Sequence, residues 1–231
     1  MTARQPLRSG IIGTGFMGRV HTQAVRANGG QVLAYAGRDA ARTRTAADDA
    51  GVELSLTPDE LIAHPDIDIV HICTPNAQHV ELAAAALQAG KHVVCEKPLA
   101  LSADEAASLE RMAEAAKVVH AVPFVYRFYP TIREARARIA TTGERIWLAH
   151  GHYLQDWLAD QSSYNWRVDD GASRAFADIG VHWCDLFEFT TGQRIERLLA
   201  QRSRLHDTRL SDHGEVPVAT EDAATVVFQT D

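Results

Sequence analysis

Short apolar runs alternate with segments of helical periodicity through the first half of the chain. The runs are rich in Ile, Val and Ala and are typical of strands: Ser9–Gly13, Gln31–Ala36, Ile67–Cys73, Lys91–Cys95 and Lys117–Val122. Buried strands separated by helices indicate a parallel sheet that is covered on both faces. The pattern therefore predicts a doubly wound parallel α/β domain over residues 1–122.

The helices between these strands carry start and stop signals. "TPDE", which begins at Thr57, and "SADE", which begins at Ser102, each place a hydroxyl residue three positions before a glutamate. This spacing is the capping box of a helix N-terminus. Gly90 stands where a helix would end, because glycine adopts the left-handed conformation of a C-terminal cap.

After residue 122 the order of elements changes. The predicted elements are a helix over Pro130–Thr142, a strand over Arg145–Leu154, a polar loop over 156–175, a helix over 176–189, and strands over 194–203 and 221–229. Helices and strands in this order predict a second domain of α+β class over residues 123–231.

Composition and charge exclude several classes of protein. The chain has 231 residues, 46% apolar residues and a net charge of −7, with no basic run, so we expect no nucleic-acid partner. The N-terminus lacks the apolar core of a signal peptide, and no apolar stretch is long enough for a membrane span. Cys73, Cys95 and Cys184 are unclustered, which suits buried free thiols in a reducing cytoplasm.

A glycine-rich turn follows the first strand. The glycines fall in the G-x-G-x-x-G pattern between a strand and a helix, where a helix N-terminus favours phosphate groups. The turn predicts dinucleotide binding, with a glycine-rich turn without ligand, or another nucleotide such as S-adenosylmethionine, as alternatives. The predicted contacts are Gly13, Thr14, Gly15, Phe16, Met17 and Gly18.

The end of the second strand bears on the choice between NAD and NADP. An acid is expected there when the 2′-hydroxyl of NAD is bound. The chain instead has Gly37 followed by Arg38, with Arg42 one helical turn later, which leaves room and charge for a 2′-phosphate. We therefore expect NADP or NAD with NADP preferred, unless both arginines are simply solvated or Asp39 turns toward the ribose.

Two further motifs follow strands at the edge where open α/β sheets bind ligands. "CTPNAQH" places Thr74, Asn76 and His79 there as predicted cofactor contacts, although a turn, a helix cap and a solvated histidine would explain them equally. "CEKPL" places Glu96 and Lys97 there, and charges at the end of a buried strand need a reason. A desolvated lysine can exchange a proton near neutral pH, and Glu96 can hold Lys97 or the cofactor.

The motifs "GTGFMG", "TPNAQH", "EKPLA" and "DIGVH", taken in order, resemble the Gfo/Idh/MocA oxidoreductases. The resemblance implies an N-terminal Rossmann domain and a second domain whose sheet lines the substrate site. It also implies that Lys97 is the catalytic acid/base and that the peptide bond between Lys97 and Pro98 is often cis.

The same resemblance assigns residues of the second domain. Asp178 and His182 match the family's D-x-G-x-H, so His182 would assist proton transfer and Asp178 would position substrate or histidine. Arg127 matches an arginine near the nicotinamide, and Trp166 with Arg167 resembles a cofactor-contacting pair. From the residues alone, Asp178 and His182 could also form a polar helix face or bind a divalent metal. No further acidic or histidine cluster completes a ligand set, so we predict no metal.

The chain also departs from the family, whose members usually continue well beyond an "ED…VVF" strand, so the open sheet of the second domain appears incomplete. We expect an NAD(P)-dependent oxidoreductase that acts on a hydroxyl-bearing carbon of a sugar or polyol. We also expect a homo-oligomer formed through the C-terminal sheet. The alternative is a nucleotide-binding protein without catalysis, or a truncated, inactive family member.

Overall fold

The computed structural model describes residues 6–161, 164–168 and 173–231. The chain forms two compact units, one ending at Pro123 and the other beginning at Phe124. The start of the N-terminal segment and parts of the predicted loop over 156–175 lie outside the described residues.

The first unit is built on one parallel sheet. Its strands lie in the order β3-β2-β1-β4-β5-β6, and all pair in parallel. They are β1 (Arg8–Ile12), β2 (Gln31–Ala36), β3 (Leu54–Leu56), β4 (Ile69–Ile72), β5 (His92–Cys95) and β6 (His120–Ala121). The doubly wound sheet predicted from the sequence is confirmed, with β3 as an additional strand.

Five helices connect these strands: α1 (Phe16–Ala27), α2 (Ala40–Ala50), α3 (Pro58–Ala63), α4 (His79–Gln88) and α5 (Ala103–Ala116). Both predicted capping boxes are present, at Thr57 and at Ser102. The buried core forms where the apolar residues of the strands, such as Val70 and Ile72 of β4, meet apolar helix faces such as Leu61 of α3.

The described part of the second unit contains two α-helices and two small antiparallel sheets. Its elements are α6 (Pro130–Thr142), α7 (Val181–Thr191), β7 (Ile195–Ser203), β8 (Thr208–Ser211), β9 (Gly214–Pro217) and β10 (Ala223–Thr230). Strand β10 pairs with β7, and β8 pairs with β9. A π-helical segment over Phe176–Gly180 leads directly into α7.

Two local predictions need correction, and one hairpin was not predicted. The strand expected over Arg145–Leu154 is wrong, because these residues have no regular secondary structure and most are exposed. Its alternating pattern lacks a neighbouring strand in the described chain, and a strand is stable only when its backbone groups are paired. Strand β6 is shorter than predicted, and the hairpin of β8 and β9 was not predicted.

No helix in the described part of the chain has both the length and the apolar character required to cross a membrane.

Candidate active site

Backbone hydrogen bonds align the strand ends of the first unit at one edge. The N–H of Gly13 donates to Ala36 at 2.9 Å, the N–H of Cys73 to Ile12 at 2.7 Å, and the N–H of Glu96 to Ile72 at 2.9 Å. The glycine turn after β1, the loop after β4 and the segment after β5 therefore lie side by side. Strand order reverses between β1 and β4, which is where open α/β sheets bind ligands.

Each of the three motif glycines has its own steric reason for lacking a side chain. Gly13 has φ of +98°, and a Cβ there would lie 2.5 Å from the carbonyl oxygen of Cys73. A Cβ on Gly18 would lie 2.1 Å from the carbonyl oxygen of Gly13, so α1 packs against the turn only without a side chain. A Cβ on Gly15 would instead meet no atom within 4 Å, which leaves room for a ligand to approach the backbone.

The start of α1 is suited to an anion. Gly15 is its N-cap and has no side chain to cap the first N–H groups, which therefore remain available to phosphate. Phe16, the first helical residue, is 71% exposed, an unusual position for a large aromatic side chain unless something covers it. Thr14 and Met17 are half-buried beside it.

At the end of β2 the carboxylate of Asp39 caps the next helix. It is the N-cap of α2 and accepts a hydrogen bond from the N–H of Arg42 at 2.9 Å. Arg38 and Arg42 are both exposed, and the Arg42 side chain lies 3.9 Å from the Asp39 carboxylate. Gly37 must remain small, since a Cβ would lie 2.6 Å from the hydroxyl of Thr43.

The loop after β4 offers one polar group without a partner. The hydroxyl oxygen of Thr74 is buried and makes no hydrogen bond to the described residues, so a ligand at this edge could satisfy it. Asn76 is half-buried and begins a short 3₁₀ turn over Asn76–Gln78.

His79, whose cofactor contact stays a prediction, has protein partners at both ring nitrogens. It is 1% exposed, and its ring nitrogens lie 2.7 Å from the Pro98 carbonyl oxygen and 2.9 Å from the Thr74 carbonyl oxygen. The ring thus contacts two backbone carbonyl oxygens and joins the loop after β4 to the segment after β5.

The "EKP" segment follows β5 directly. The Lys97–Pro98 peptide bond is cis, and Lys97 is half-buried. Glu96 is 7% exposed; its carboxylate accepts from the backbone N–H of Lys97 at 3.3 Å and lies 3.0 Å from Nε2 of His21. Glu96 therefore holds the backbone of Lys97 by a hydrogen bond.

Sequence reasoning missed two histidines beneath this segment. Nδ1 of His21 lies 3.1 Å from Nδ1 of His71, and both residues are buried. Burial first, and the nearby His21 second, lower the pKa of His71 to about 4, so His71 is neutral at pH 7. The signal was a titratable residue within the apolar run "IVHIC", which is costly unless it has a partner.

In the second unit His182 sits among aromatic rings. It is 8% exposed and makes edge contacts with Tyr126 at 4.8 Å and Phe124 at 5.9 Å between ring centroids. The Tyr126 hydroxyl is hydrogen-bonded to the hydroxyl of Tyr153, whose ring also lies near His182. These two tyrosines were not predicted as site residues.

Asp178, four residues before His182, lies in the π-helical segment. Its carboxylate is 3.4 Å from Nε of Arg167, whose guanidinium also lies over the rings of Trp166 and Trp157 at 4.5 and 5.5 Å. The structure thus brings Asp178 together with the Trp166–Arg167 pair. The predicted cofactor contact of this pair stays a prediction.

Arg127 has a partner on α7. It makes a bidentate ion pair with Asp185, whose side chain is 8% exposed, and this hydrogen bonding raises the pKa of Arg127. Its guanidinium also lies 5.2 Å from the ring of Phe189. Arg127 is therefore held against α7, and its contact with nicotinamide stays a prediction.

The three cysteines are free thiols. Burial raises the pKa of Cys95 to about 12 and that of Cys184 to about 11, and it raises the pKa of Cys73 further. All three stay protonated at neutral pH and are poor nucleophiles. Within residues 6–161, 164–168 and 173–231, no group of three or more His, Cys, Asp or Glu side chains is arranged to hold a metal ion.

Comparison with models of known protein families identifies the family of this chain. A family model described as an oxidoreductase family with an NAD-binding Rossmann fold matches residues 7–124, and the GFO/IDH/MocA C-terminal domain matches residues 132–231. The chain belongs to the Gfo/Idh/MocA oxidoreductase family. Membership explains why the glycine turn, the "EKP" segment and the "DIGVH" helix occur together in one chain.

Some of the relatives that this chain resembles are named as dehydrogenases of sugars. Levoglucosan dehydrogenase of Pseudarthrobacter phenanthrenivorans is 37% identical over 206 residues, covering 82% of this chain and 52% of the relative. D-xylose 1-dehydrogenase (NADP(+)) 2 of Haloferax volcanii is 34% identical, covering 71% of this chain and 47% of the relative. A solved levoglucosan dehydrogenase in complex with NADH and levoglucosan has a TM-score of 0.90 at 33% identity, covering 97% of this chain and 64% of that one. The chain spans less than two thirds of the length of each.

Proposed function

We propose that the protein is an NAD(P)-dependent dehydrogenase that oxidises a hydroxyl-bearing carbon of a sugar or polyol, or reduces the corresponding carbonyl. The observation that carries this proposal is the position of Lys97. It follows β5 at the edge that also holds the glycine turn, which supports a role for its amine in the crevice where open α/β sheets bind dinucleotides.

The residues at this edge fit a dinucleotide. The open space at Gly15, the uncapped start of α1 and the unpartnered hydroxyl of Thr74 are each explained by a pyrophosphate or ribose in contact with them. A bound nicotinamide supplies the acceptor or donor for a hydride. The protein then has to supply a proton acceptor and the orientation of the substrate.

Lys97 supplies the proton chemistry in this proposal. Its neutral amine takes the hydroxyl proton as an alcohol is oxidised, and its ammonium returns the proton in the reverse direction. Glu96 and the buried groups below it hold the backbone from which the amine extends. A lysine is suited to this role because its charge state responds strongly to its surroundings.

His182 and Asp178 would act on the substrate side. His182 is held by edge contacts with aromatic rings, which fix the direction of its ring nitrogens. Asp178 is held by Arg167, so its carboxylate has a fixed direction as well. Two such groups on consecutive turns can orient a hydroxyl-rich molecule.

A sugar or polyol substrate agrees with the groups around His182. Tyr153, Gln155 and Trp157 form a chain of hydrogen bonds, in which the Gln155 amide donates to Tyr153 at 3.3 Å and Trp157 donates to Gln155 at 3.0 Å. Aromatic faces with hydroxyl and amide groups suit the mixed polar and apolar surface of a sugar. The relatives named as levoglucosan and D-xylose dehydrogenases support the same class.

NADP is the preferred cofactor in this proposal. Asp39 caps α2 through its carboxylate, whereas Arg38 and Arg42 are exposed beside the small Gly37. This arrangement favours a 2′-phosphate over a 2′-hydroxyl. The relatives differ on this point, since one is named for NADP and another was solved with NADH.

Replacement of Lys97 tests the proposal. We expect Lys97→Ala to lower kcat by about 10²–10⁴-fold, because a general acid/base is removed, and to leave NADPH binding largely unchanged. Turnover is measured with a panel of sugars and polyols, and binding by NADPH fluorescence.

The matched control is Lys117→Asn. Lys117 is far from the motif along the chain and has φ of +55°, a conformation that asparagine tolerates. The control should keep wild-type turnover. Wild-type kcat in Lys97→Ala would make Lys97 structural. Nucleotide binding by the unmodified protein without turnover of any panel member would favour the non-catalytic alternative.

A further inference from the structure

The backbone around Lys97 is held from both sides by buried imidazole rings. His21 reaches it from α1 through Glu96, and His79 reaches it from α4 through the carbonyl of Pro98. Neither ring has a role in the chemistry proposed above. Both are more than nine-tenths buried, at 8% and 1% exposed.

On the first side, the hydrogen bonds form a chain of three residues. An ionised carboxylate only accepts, so Nε2 of His21 donates to Glu96 across 3.0 Å. Nδ1 of His21 is 3.1 Å from Nδ1 of His71, and one hydrogen must lie between these two nitrogens. A neutral His21 has a single N–H, which is on Nε2 facing Glu96, so the hydrogen between the two Nδ1 atoms belongs to His71 and the neighbours of both rings fix their tautomers.

The other oxygen of Glu96 accepts from the backbone N–H of Lys97 at 3.3 Å. Rotation of the Glu96 carboxylate would therefore disturb His21 and Lys97 together. Since a buried carboxylate without its donors is costly, the arrangement resists such rotation.

On the second side, His79 joins two loops. Its ring lies between the carbonyl oxygens of Pro98 and Thr74, at 2.7 and 2.9 Å. Carbonyl oxygens only accept, so a neutral ring donates to one of them and a protonated ring donates to both. In either state the ring fills the space between the loop after β4 and the segment after β5.

We infer that His21 and His79 are positioning residues that fix the Lys97–Pro98 backbone, and with it the direction of the Lys97 amine. The inference rests on the proposed function in that Lys97 is taken as the acid/base. A misplacement of about 1 Å in a reacting group can cost about a hundredfold in rate. Loss of either imidazole should therefore lower kcat more than it weakens nucleotide binding.

The composition allows a direct observation of Lys97. The chain contains only three lysines, Lys91, Lys97 and Lys117. Protein labelled with ¹³Cε-lysine gives one signal for each, and Lys97→Ala assigns the signal of interest. We expect His21→Leu and His79→Leu to shift the Lys97 signal while those of Lys91 and Lys117 stay in place. The conservative variants His21→Gln and His79→Gln keep an amide donor and should restore most of the wild-type signal.

Kinetic measurements provide a second test of the inference. We expect each leucine variant to lower kcat by at least about tenfold, with the Kd for NADPH changed by less than about threefold. In the Lys97→Ala background the same substitutions should cause no further loss of kcat, because residues that act through Lys97 have nothing left to position.

The outcomes separate the inference from the proposed function. An unchanged Lys97 signal in the folded leucine variants would overturn the inference, whether or not the protein turns over a substrate. Equal losses of kcat with and without Lys97 would also overturn it, since the histidines would then act on folding alone. If the unmodified protein shows no turnover, the proposed function fails while the Lys97 signal still decides the positioning role. Should a leucine variant fail to fold, the corresponding methionine variant, which also lacks a hydrogen-bond donor, takes its place, and an unchanged Lys97 signal in it would overturn the inference.

Discussion

At the scale of single residues, the ligand edge depends on groups whose neighbours leave them few alternatives. Gly18 must lack a side chain because a Cβ would overlap the carbonyl of Gly13. Asp39 is committed to the start of α2, and the Thr74 hydroxyl is buried without a partner. Each of these constraints acts within a few ångströms, whereas a Cβ on Gly15 would meet no atom within 4 Å.

Cofactor choice should depend on Arg38 and Arg42. We expect Arg38→Ala or Arg42→Ala to weaken NADP binding by roughly tenfold or more relative to NAD, because one charge-assisted hydrogen bond to the 2′-phosphate is worth about 1.5–3 kcal/mol. Competitive titration of the two cofactors measures the ratio. The arginines are changed rather than Gly37, since a Cβ at Gly37 would press on the hydroxyl of Thr43.

The control for this prediction lies on the same helix. Arg44 is bound to Asp48 on the surface of α2, so Arg44→Ala should leave the ratio unchanged. Tighter binding of NAD than NADP by the unmodified protein would mean that Arg38 and Arg42 point to solvent and that NAD is the natural cofactor.

His71 should make the first unit sensitive to acid. Its pKa is lowered from 6.5 to about 4 by burial and by His21, so between these values the unfolded chain binds a proton that the folded chain does not. Stability therefore falls as pH drops through 6.5, and the loss reaches about 3 kcal/mol below pH 4. Hydrogen exchange of the β4 amides at pH 7.5 and pH 5 measures it.

The variant His71→Asn should reduce this pH dependence, while His120→Asn, at an exposed histidine on β6, should not. An identical pH response in wild type and His71→Asn would show that other groups control the acid sensitivity. Tryptophan fluorescence is unsuitable as a probe here, because all four tryptophans lie after residue 124.

At the scale of elements, the helix that carries Asp178 and His182 is anchored at its start. One oxygen of Glu221 accepts from the Ser173 hydroxyl at 2.8 Å and from the N–H groups of Arg174 and Phe176 at 3.1 and 3.0 Å. Burial raises the pKa of Glu221, but these hydrogen bonds outweigh it and hold the pKa below its ordinary value. A carboxylate next to the first N–H groups of a helical segment also suits its dipole.

Removal of this anchor should destabilise the second unit. Glu221→Ala leaves the N–H groups of Arg174 and Phe176 without their acceptor and should lower the free energy of unfolding by about 3 kcal/mol. The side chain of Arg174, which is 9% exposed, keeps its ion pair with Asp222. Urea unfolding followed by tryptophan fluorescence reports this unit. The control is Asp207→Asn, which breaks the exposed ion pair with Arg204 and should cost less than about 1 kcal/mol. Equal stability of Glu221→Ala and wild type would show that the helix start is held by other contacts.

At the scale of the whole molecule, the sheet of β7 and β10 has two unlike faces. Trp183 of α7 stacks on Phe228 of β10 at 5.4 Å and covers one face. On the other face Leu199 and Val227 lie directly opposite each other and are 75% and 65% exposed. In the described residues each of these strands pairs only with the other, so each presents an edge of backbone groups.

We expect a polypeptide of these 231 residues to self-associate through this sheet. Leu199→Lys should weaken the association, because it places a charge in the exposed apolar pair, whereas Gln201→Lys on the same face should have a smaller effect. Sedimentation velocity over a range of concentrations measures both. A monomer at the highest concentration would contradict the prediction.

The sequence by itself determined the doubly wound sheet, the capping boxes and the positions of the glycine turn, Thr74 and Lys97. These features follow from local rules: apolar runs form buried strands, hydroxyl–glutamate spacing starts helices, and parallel strands end at one edge. Only the tertiary structure decided which polar groups meet. His21, His71 and Glu96 are separated by up to 75 residues, and they pair because α1, β4 and β5 pack together. The apolar alternation over Arg145–Leu154 did not make a strand, because a strand forms only where a neighbour accepts its backbone hydrogen bonds.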